Sequence, residues 1–286
     1  MTRQPGLARR AEALLDAAVV STAPVAGGDV ATATKLRLSN GSTALMKTLS
    51  QAPAGFFEQE AHGLRWLAEV PGGVHVPDVL AVDADCLILA WVEPGRPTAD
   101  DAAAFGRRLA ATHAAGAPAH GADHDGFIGR LPLPHRTAST WAEFYAVRRL
   151  LPYAKLARDR GALTADDAAA VEAVVRRLPA LVPEEPPARL HGDLWNGNVL
   201  WGLEGRASVI DPAAHGGHRE VDLAMLALFG LQNLPRVLDG YQEVAPLAAG
   251  WEDRVGLFQL FPLLVHACLF GGGYGARAAA LARSYA

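Results

Sequence analysis

Cysteine is scarce in this sequence of 286 residues: Cys86 and Cys268 are the two present, far apart and without C-x-x-C spacing. That excludes a disulfide framework and a zinc knuckle, and it suits buried thiols in a reducing cytoplasm. A basic excess is also missing. The 26 Lys and Arg face 30 Asp and Glu, for a net charge of −4, and no block of like charge forms a tail. Nucleic acid is therefore not an expected partner. No charge-free stretch is long enough to cross a membrane. The N-terminus places basic residues before an apolar run, as a signal peptide does, but Glu12 and Asp16 interrupt that run. Leu7, Leu14, Leu15 and Val19 fit an amphipathic helix better. There is no internal repeat and no low-complexity tail. A cytoplasmic protein is expected, and at 50% hydrophobic residues it has enough apolar material for two lobes.

The patterning divides near residue 93. Residues 24–49 read as strands, one over Val30 to Leu38 and one over Ala44 to Leu49, with a hairpin signal at Asn40-Gly41. Residues 55–69 have helical period. Two further apolar strands follow, with a turn near Asp83 to Asp85. Beyond Pro94 the pattern is mostly helical, and Thr98 before Asp100-Asp101 is a helix N-cap candidate. The expected class is α+β: a β-rich N-terminal lobe at 1–93 and a larger, mainly helical lobe at 94–286.

Polar residues concentrate in one stretch of the second part, "HGDLWNGN" at 191–198. It reads as a loop between short strands and fits the pattern His-x-Asp-Leu-x-x-x-Asn of the kinase catalytic loop. Asp211 follows in "SVIDP", delivered by a short strand. Asn198 and Asp211 offer two oxygen ligands, which suits Mg²⁺ with phosphate oxygens completing its shell. Asp193 remains to orient a hydroxyl and accept its proton. His191 is read as structural, bonding the backbone or the metal loop.

Two oddities earlier in the chain answer each other. Alternation puts Lys47 between Leu45 and Leu49 on one strand face. A helical wheel puts Glu60 in an apolar stripe with Phe56, Leu64 and Leu67. A buried acid needs a partner, and a Lys47–Glu60 pair matches the lysine–glutamate pair that positions ATP phosphates in kinases. Gly27-Gly28 permit close approach of backbone N–H groups to phosphate, and a plain β-turn explains them equally. If the lobes clamp a purine, main chain at Ala90, Trp91 and Val92 would meet it. His215, His218 and Glu220 lack the further ligands of a recognised metal site. Asp222 starts an apolar helix, where it can accept backbone N–H bonds and reach back to brace the 191–198 loop. His113 and His266 read as packing histidines.

"HGDLWNGN" followed by "IDPAAHGGHREVDLAMLALFG" resembles the fructosamine kinase (ketosamine-3-kinase) family, within the aminoglycoside-phosphotransferase-like group of protein-kinase-like folds. "GGD" at 27–29, "FEQEAHGLRWL" at 57–67, "DGFIG" at 125–129 and "WAEFY" at 141–145 are similar to family segments in the same order. The resemblance implies a bilobal protein-kinase-like fold and transfer of phosphate from ATP, with Mg²⁺, to the 3-hydroxyl of a ketosamine. The 3-phosphate then falls apart and frees the amine, which is deglycation. It implies Asp193 as catalytic base, Asn198 and Asp211 as metal ligands, and Lys47 and Glu60 on the phosphates, with Gly27-Gly28 over them. Trp195 either stacks on the sugar or packs under its own loop. After "DGFIG" the family has a P-Q-x-N stretch where this chain reads "RLPLPHRTASTW", near the expected sugar-amine entrance. Rival readings are a kinase for another alcohol (aminoglycoside, choline or homoserine) and a non-catalytic ATP-binding protein. The second would have lost one of Lys47, Asp193, Asn198 or Asp211, and all four are present.

Overall fold

The computed structural model describes residues 5–26 and 30–286. Helix α1 (Pro5–Leu15) leads into strand β1 (Val19–Val25). The amphipathic pattern predicts helix as far as Val19, but Asp16 takes a left-handed backbone with φ 51° and ends it. Aspartate tolerates that conformation, and the β-branched run that follows favours a strand. The Glu12 carboxylate then accepts the Val19 N–H at 2.8 Å, fixing the corner.

Strands β2 (Thr32–Leu38) and β3 (Thr43–Thr48), helix α2 (Phe56–Ala68), and strands β4 (Val79–Asp83) and β5 (Cys86–Ala90) follow. The strands form one antiparallel sheet in the order β1-β2-β3-β5-β4. The β2–β3 turn uses a positive φ only at Gly41 (86°). Asn40 contributes instead through its side chain, whose Oδ1 accepts from the Ser42 N–H at 3.0 Å. Alternation gives the sheet two buried faces. Ala44 and Met46 pack with Leu36, Ile88, Ala8 and Ala11 beneath α1. Leu87 and Leu89 face the other way and pack with Phe57, Ala61 and Leu64 of α2.

The remaining chain is mainly helical. Helix α3 (Ala99–Ala114) starts at a Thr98 capping box closed by Asp101. Hairpin β6 (Gly126–Ile128) and β7 (Leu131–Leu133) precedes helix α4 (Trp141–Phe144), which runs through a π-helical turn at Tyr145–Leu150 into α5 (Leu151–Asp159). Helix α6 (Ala165–Leu181) has a second capping box, at Thr164. Strands β8 (Ala188–Leu190), β9 (Val199–Trp201), β10 (Ala207–Val209) and β11 (His215–Gly217) then frame the polar segment, ahead of α7 (Glu220–Leu228), α8 (Leu234–Val244), α9 (Trp251–Phe270) and α10 (Tyr274–Tyr285). Helix α9 is long and apolar enough to cross a membrane by length and composition, but 56% of its apolar window is buried inside the protein. Its Leu257, Phe258, Leu260, Phe261 and Leu264 belong to the largest core cluster, with Trp141 and Val171. It is a core helix.

Candidate active site

Strand pairing assembles the site. Strand β8 pairs with β11, and β9 with β10. The segment 191–198 joins β8 to β9, and 210–214 joins β10 to β11, so the two loops must lie side by side. Two bonds tie them: His191 Nε2 to the Ile210 carbonyl at 2.8 Å, and the Ile210 N–H to the Asn198 carbonyl at 3.1 Å. His191 is thus a structural tie, with its ring burial lowering its pKa. Gly192 has φ 82°, and a Cβ there would collide with the Ala213 carbonyl. Glycine is what lets the loops approach.

From below, Asp222 of α7 accepts the N–H of His191 at 2.8 Å and of Gly192 at 2.9 Å. It does not cap its own helix, which begins at Glu220. Its Oδ2 also meets His113 Nε2 at 3.1 Å, and His113 Nδ1 meets the Tyr241 hydroxyl at 2.8 Å. Burial pushes the Asp222 carboxyl up, but the His113 hydrogen bond and the charges of His113 and His191 more than offset it, so its pKa lies below the ordinary value. The sequence shows His113 only as a histidine in an apolar helix. Its role as the support of Asp222 depends on α3 packing against the loop, which no local signal carries.

Inside the loop, Asn198 Nδ2 donates to the Asp193 carbonyl at 2.8 Å. With the amide NH₂ committed, Asn198 Oδ1 is the atom left to face a cation. Asp211 stands opposite in a left-handed backbone, φ 57°. Two oxygens, from one amide and one carboxylate, fit Mg²⁺, which takes few protein ligands. Burial and the charges of Asp211 and Asp222 hold the Asp193 carboxyl up to about 7, so its proton affinity suits proton transfer near neutrality.

The sheet supplies the counter-charge. Lys47 Nζ lies 2.6 and 2.7 Å from the two Glu60 oxygens and 2.7 Å from Asp211 Oδ1. Burial works to lower the Lys47 pKa, and the two carboxylates raise it overall, so the ammonium stays charged. Burial pushes the Glu60 carboxyl up, with Lys47 pulling against it. Helix α2 comes this close to the Asp211 loop because residue 63 is glycine: a Cβ there would sit 3.1 Å from Pro212 and Ala214.

These groups line one cleft of ≈ 530 Å³. At the sheet end, Ala33, Leu45, Leu89 and Leu200 form apolar walls beside Ala90, Trp91 and Val92. The Ala90 N–H is already bonded to Asp78 O at 2.9 Å and the Trp91 N–H to Thr43 O at 3.2 Å. Among the described residues, the Val92 N–H has no such partner and can donate to a base edge. At the helical end the walls are Phe258, Phe261, Val265, His266 and Phe270. Trp195 lines the cleft, half-buried, with its indole over Gly197 and its edge on Phe229 at 5.7 Å. His266 lines the cleft as well. Its ring packs on Phe229, Phe270 and Tyr274, in keeping with the packing role read from the sequence, and the placement of α9 brings it to the cleft wall besides. Gly27 and Gly28 lie outside the described residues. His215, His218 and Glu220 take packing roles: His215 stacks on Phe144, His218 on Phe258, and Glu220 pairs with Arg254 at 2.6 Å.

The family model for fructosamine kinase matches residues 8–285. The chain belongs to the fructosamine kinase family. It is 38% identical over 252 residues to a Thermus thermophilus protein described as a probable ketoamine kinase, covering 88% of each chain. The solved structure of a Thermobifida fusca protein described as a putative fructosamine-3-kinase superposes with TM-score 0.91 at 49% identity, covering 98% of both chains. A macrolide 2′-phosphotransferase superposes with TM-score 0.62 at 18% identity over 100% of this chain and 99% of its own, which shows the shared protein-kinase-like fold. This fructosamine kinase family member is a phosphotransferase with an alcohol group as acceptor.

Proposed function

We propose that the protein is an ATP- and Mg²⁺-dependent ketosamine 3-kinase that acts in deglycation in the cytoplasm. Lobes 1–93 and 94–286 hold nucleotide and acceptor respectively. The observation that carries the reading is the junction at Lys47. One ammonium reaches both Glu60 and Asp211 within 2.7 Å, beside a loop that presents Asp193 and Asn198 together. A buried cation at the mouth of two acids suits a bound polyphosphate with its metal.

The residues act by position and charge. The Val92 amide holds the purine edge, and the apolar walls sandwich its faces. Lys47, oriented by Glu60, holds phosphate charge. Asn198 Oδ1 and Asp211 would hold Mg²⁺, which when bound would neutralise charge on the transferring phosphate. Asp193 orients the acceptor's 3-hydroxyl and takes its proton as the O3–phosphorus bond forms and the bond to the ADP oxygen breaks. The ketosamine 3-phosphate so formed releases the amine.

Family membership and the cleft's charge both favour a ketosamine acceptor. Among the described residues, the acids lining the cleft are Glu60, Asp193 and Asp211, all in the phosphate cluster. An aminoglycoside, as a polycation, would meet no further acids there. The aromatic helical end suits a quaternary ammonium, so choline belongs in the test. The experiment is Mg²⁺-dependent ATP consumption with fructosyl-, ribulosyl- and erythrulosyl-lysine, free and protein-bound, alongside an aminoglycoside and choline. Turnover on a ketosamine supports the reading. Turnover on another alcohol alone keeps the kinase chemistry and overturns the substrate. Tight nucleotide binding with no turnover favours a non-catalytic binding protein.

A further inference from the structure

His135 is a polar side chain in the cleft wall that the chemistry above does not use. It lies in the segment where the sequence departs from the family's P-Q-x-N stretch. It is 2% exposed and lines the cleft. Neither ring nitrogen makes a hydrogen bond of good geometry among the described residues. A buried imidazole in that condition is costly unless a ligand completes it.

The ring's position is well fixed. The His135 N–H donates to Asp125 Oδ1 at 2.7 Å, and its carbonyl accepts from Ala122 N at 2.9 Å. Arg149 Nη1 holds the preceding Pro134 carbonyl at 2.7 Å. The ring stacks on His215 at 4.9 Å between centroids. His215 Nδ1 in turn sits 2.9 Å from where a Cβ on Gly192 would be. His135 is therefore on the acceptor side, set back from Asp193 by one ring and one glycine.

The electrostatics choose what it can bind. Burial lowers the His135 pKa to about 2, the charges of Arg149 and His124 add to that, and the His124 main chain opposes with the smallest of the four effects. Arg149 is 1% exposed; its guanidinium bonds main-chain carbonyls, and the Asp125 carboxylate acts on it through charge without a direct ion pair among the described residues. This end of the cleft is neutral at the ring, with the Arg149 guanidinium and the Asp125 carboxylate that accepts the His135 N–H behind it, so the ring suits a neutral hydroxyl better than an ammonium group. A ketosamine has its amine on C1 and the rest of its sugar beyond C3. With O3 at Asp193, a sugar whose far hydroxyls meet the neutral His135 ring has its amine pointing away from that ring.

Resting on the ketosamine reading, we propose that His135 is a specificity-determining residue that hydrogen-bonds a hydroxyl beyond C4 of the sugar. It thereby favours five- and six-carbon ketosamines over four-carbon ones and turns the amine toward the cleft mouth.

The test uses fructosyl-, ribulosyl- and erythrulosyl-propylamine, which share one amine, with the wild-type protein, His135→Phe and His135→Asn. Phenylalanine keeps the stack on His215 and removes the nitrogens. The wild type is expected to prefer the fructosyl or ribulosyl adduct. His135→Phe should lose about 10- to 100-fold in kcat/KM on that adduct, chiefly through KM, and change less than about threefold on the erythrulosyl one. His135→Asn, which keeps a donor and an acceptor, should fall between. Equal losses on all three adducts with a lowered Tm mark a packing role only and overturn the proposal. So do unchanged kinetics, or a wild type that uses the erythrulosyl adduct alone. No turnover of any ketosamine by the wild type is a separate failure, that of the kinase reading, and takes the proposal with it.

Discussion

The Asp222 carboxylate sits 2.9 Å from the Gly192 amide nitrogen and accepts its hydrogen, while its second oxygen takes the neighbouring N–H of His191. One buried anion thus fixes the main chain immediately before Asp193. Asparagine has a single acceptor oxygen, so Asp222→Asn must release one of these amides or turn an NH₂ against it. The expected result is a stability loss of about 1.5–3 kcal/mol, the range for a hydrogen bond to a charged group, read from urea midpoints. The turnover number should fall more than KM for ATP changes, because the disturbed loop bears the proposed base and not the proposed purine contacts. Wild-type turnover in this variant would remove Asp222 from the positioning role.

Asp193 is expected to be needed for turnover and not for nucleotide affinity. Asp193→Asn keeps the size of the side chain and removes its ability to take a proton. The kcat should drop by about 10²–10⁴-fold, the range for general base catalysis, with Mg-ATP affinity nearly unchanged by calorimetry. Near-wild-type kcat would falsify the base assignment.

Glu60 and Asp211 share the Lys47 ammonium, and that sharing has a consequence. In Glu60→Gln the ammonium keeps one full anionic partner, Asp211, which is also a proposed metal ligand. Lys47 should then compete more strongly with the cation. The expected outcome is a rise of about tenfold in the Mg²⁺ concentration needed for half-maximal rate, the effect of ~1.4 kcal/mol. Loss of a charged partner from a buried pair also destabilises, by up to 3–5 kcal/mol. A variant with an unchanged Mg²⁺ requirement would show that Asp211 does not divide its charge in this way.

These relationships were unequally visible in the sequence. The Lys47–Glu60 contact was legible because each residue violates a local pattern, a lysine in an apolar strand face and an acid in an apolar helix stripe. The strands over residues 32–48 and 79–90 were legible from alternation and turn residues. Strand β1 was not, since Asp16 breaks the helix by a backbone angle and not by composition. Asp222 was identifiable as an acid entering an apolar helix. Its partner His113, 109 positions away in sequence, follows only from how α3 packs. His135 was invisible for a related reason. A histidine between prolines and arginines reads as surface, and its burial comes from the His215–Phe144–Trp141 stack that forms beneath it.

The same buried histidines predict acid sensitivity. Burial holds His135 down to about 2, His218 to about 4, and His215 well below its ordinary value. His75, His120 and His191 are lowered too. A histidine whose folded pKa is depressed is neutral in the folded chain and takes up a proton on unfolding below about 6.5. Stability therefore falls as pH drops beneath that value, by ~1.4 kcal/mol per pH unit for each such group. Asp193 and Glu60, pushed up by burial to about 7, and Glu220, also pushed up by burial, act with the opposite sign and offset some of these protons. The lowered histidines outnumber the raised carboxyls, so the balance keeps the histidines' sign. Between pH 6 and 4.5 the unfolding free energy should drop, by about 1.4 kcal/mol per pH unit for each net proton taken up on unfolding, against a typical total of about 5–15 kcal/mol. Urea midpoints at pH 7.5, 6.5, 5.5 and 4.5 measure this directly. His135→Phe should flatten the slope by about one proton, whatever it does to baseline stability. A midpoint that stays constant from pH 6.5 to 4.5 would mean that the buried histidines gain protons in the folded state.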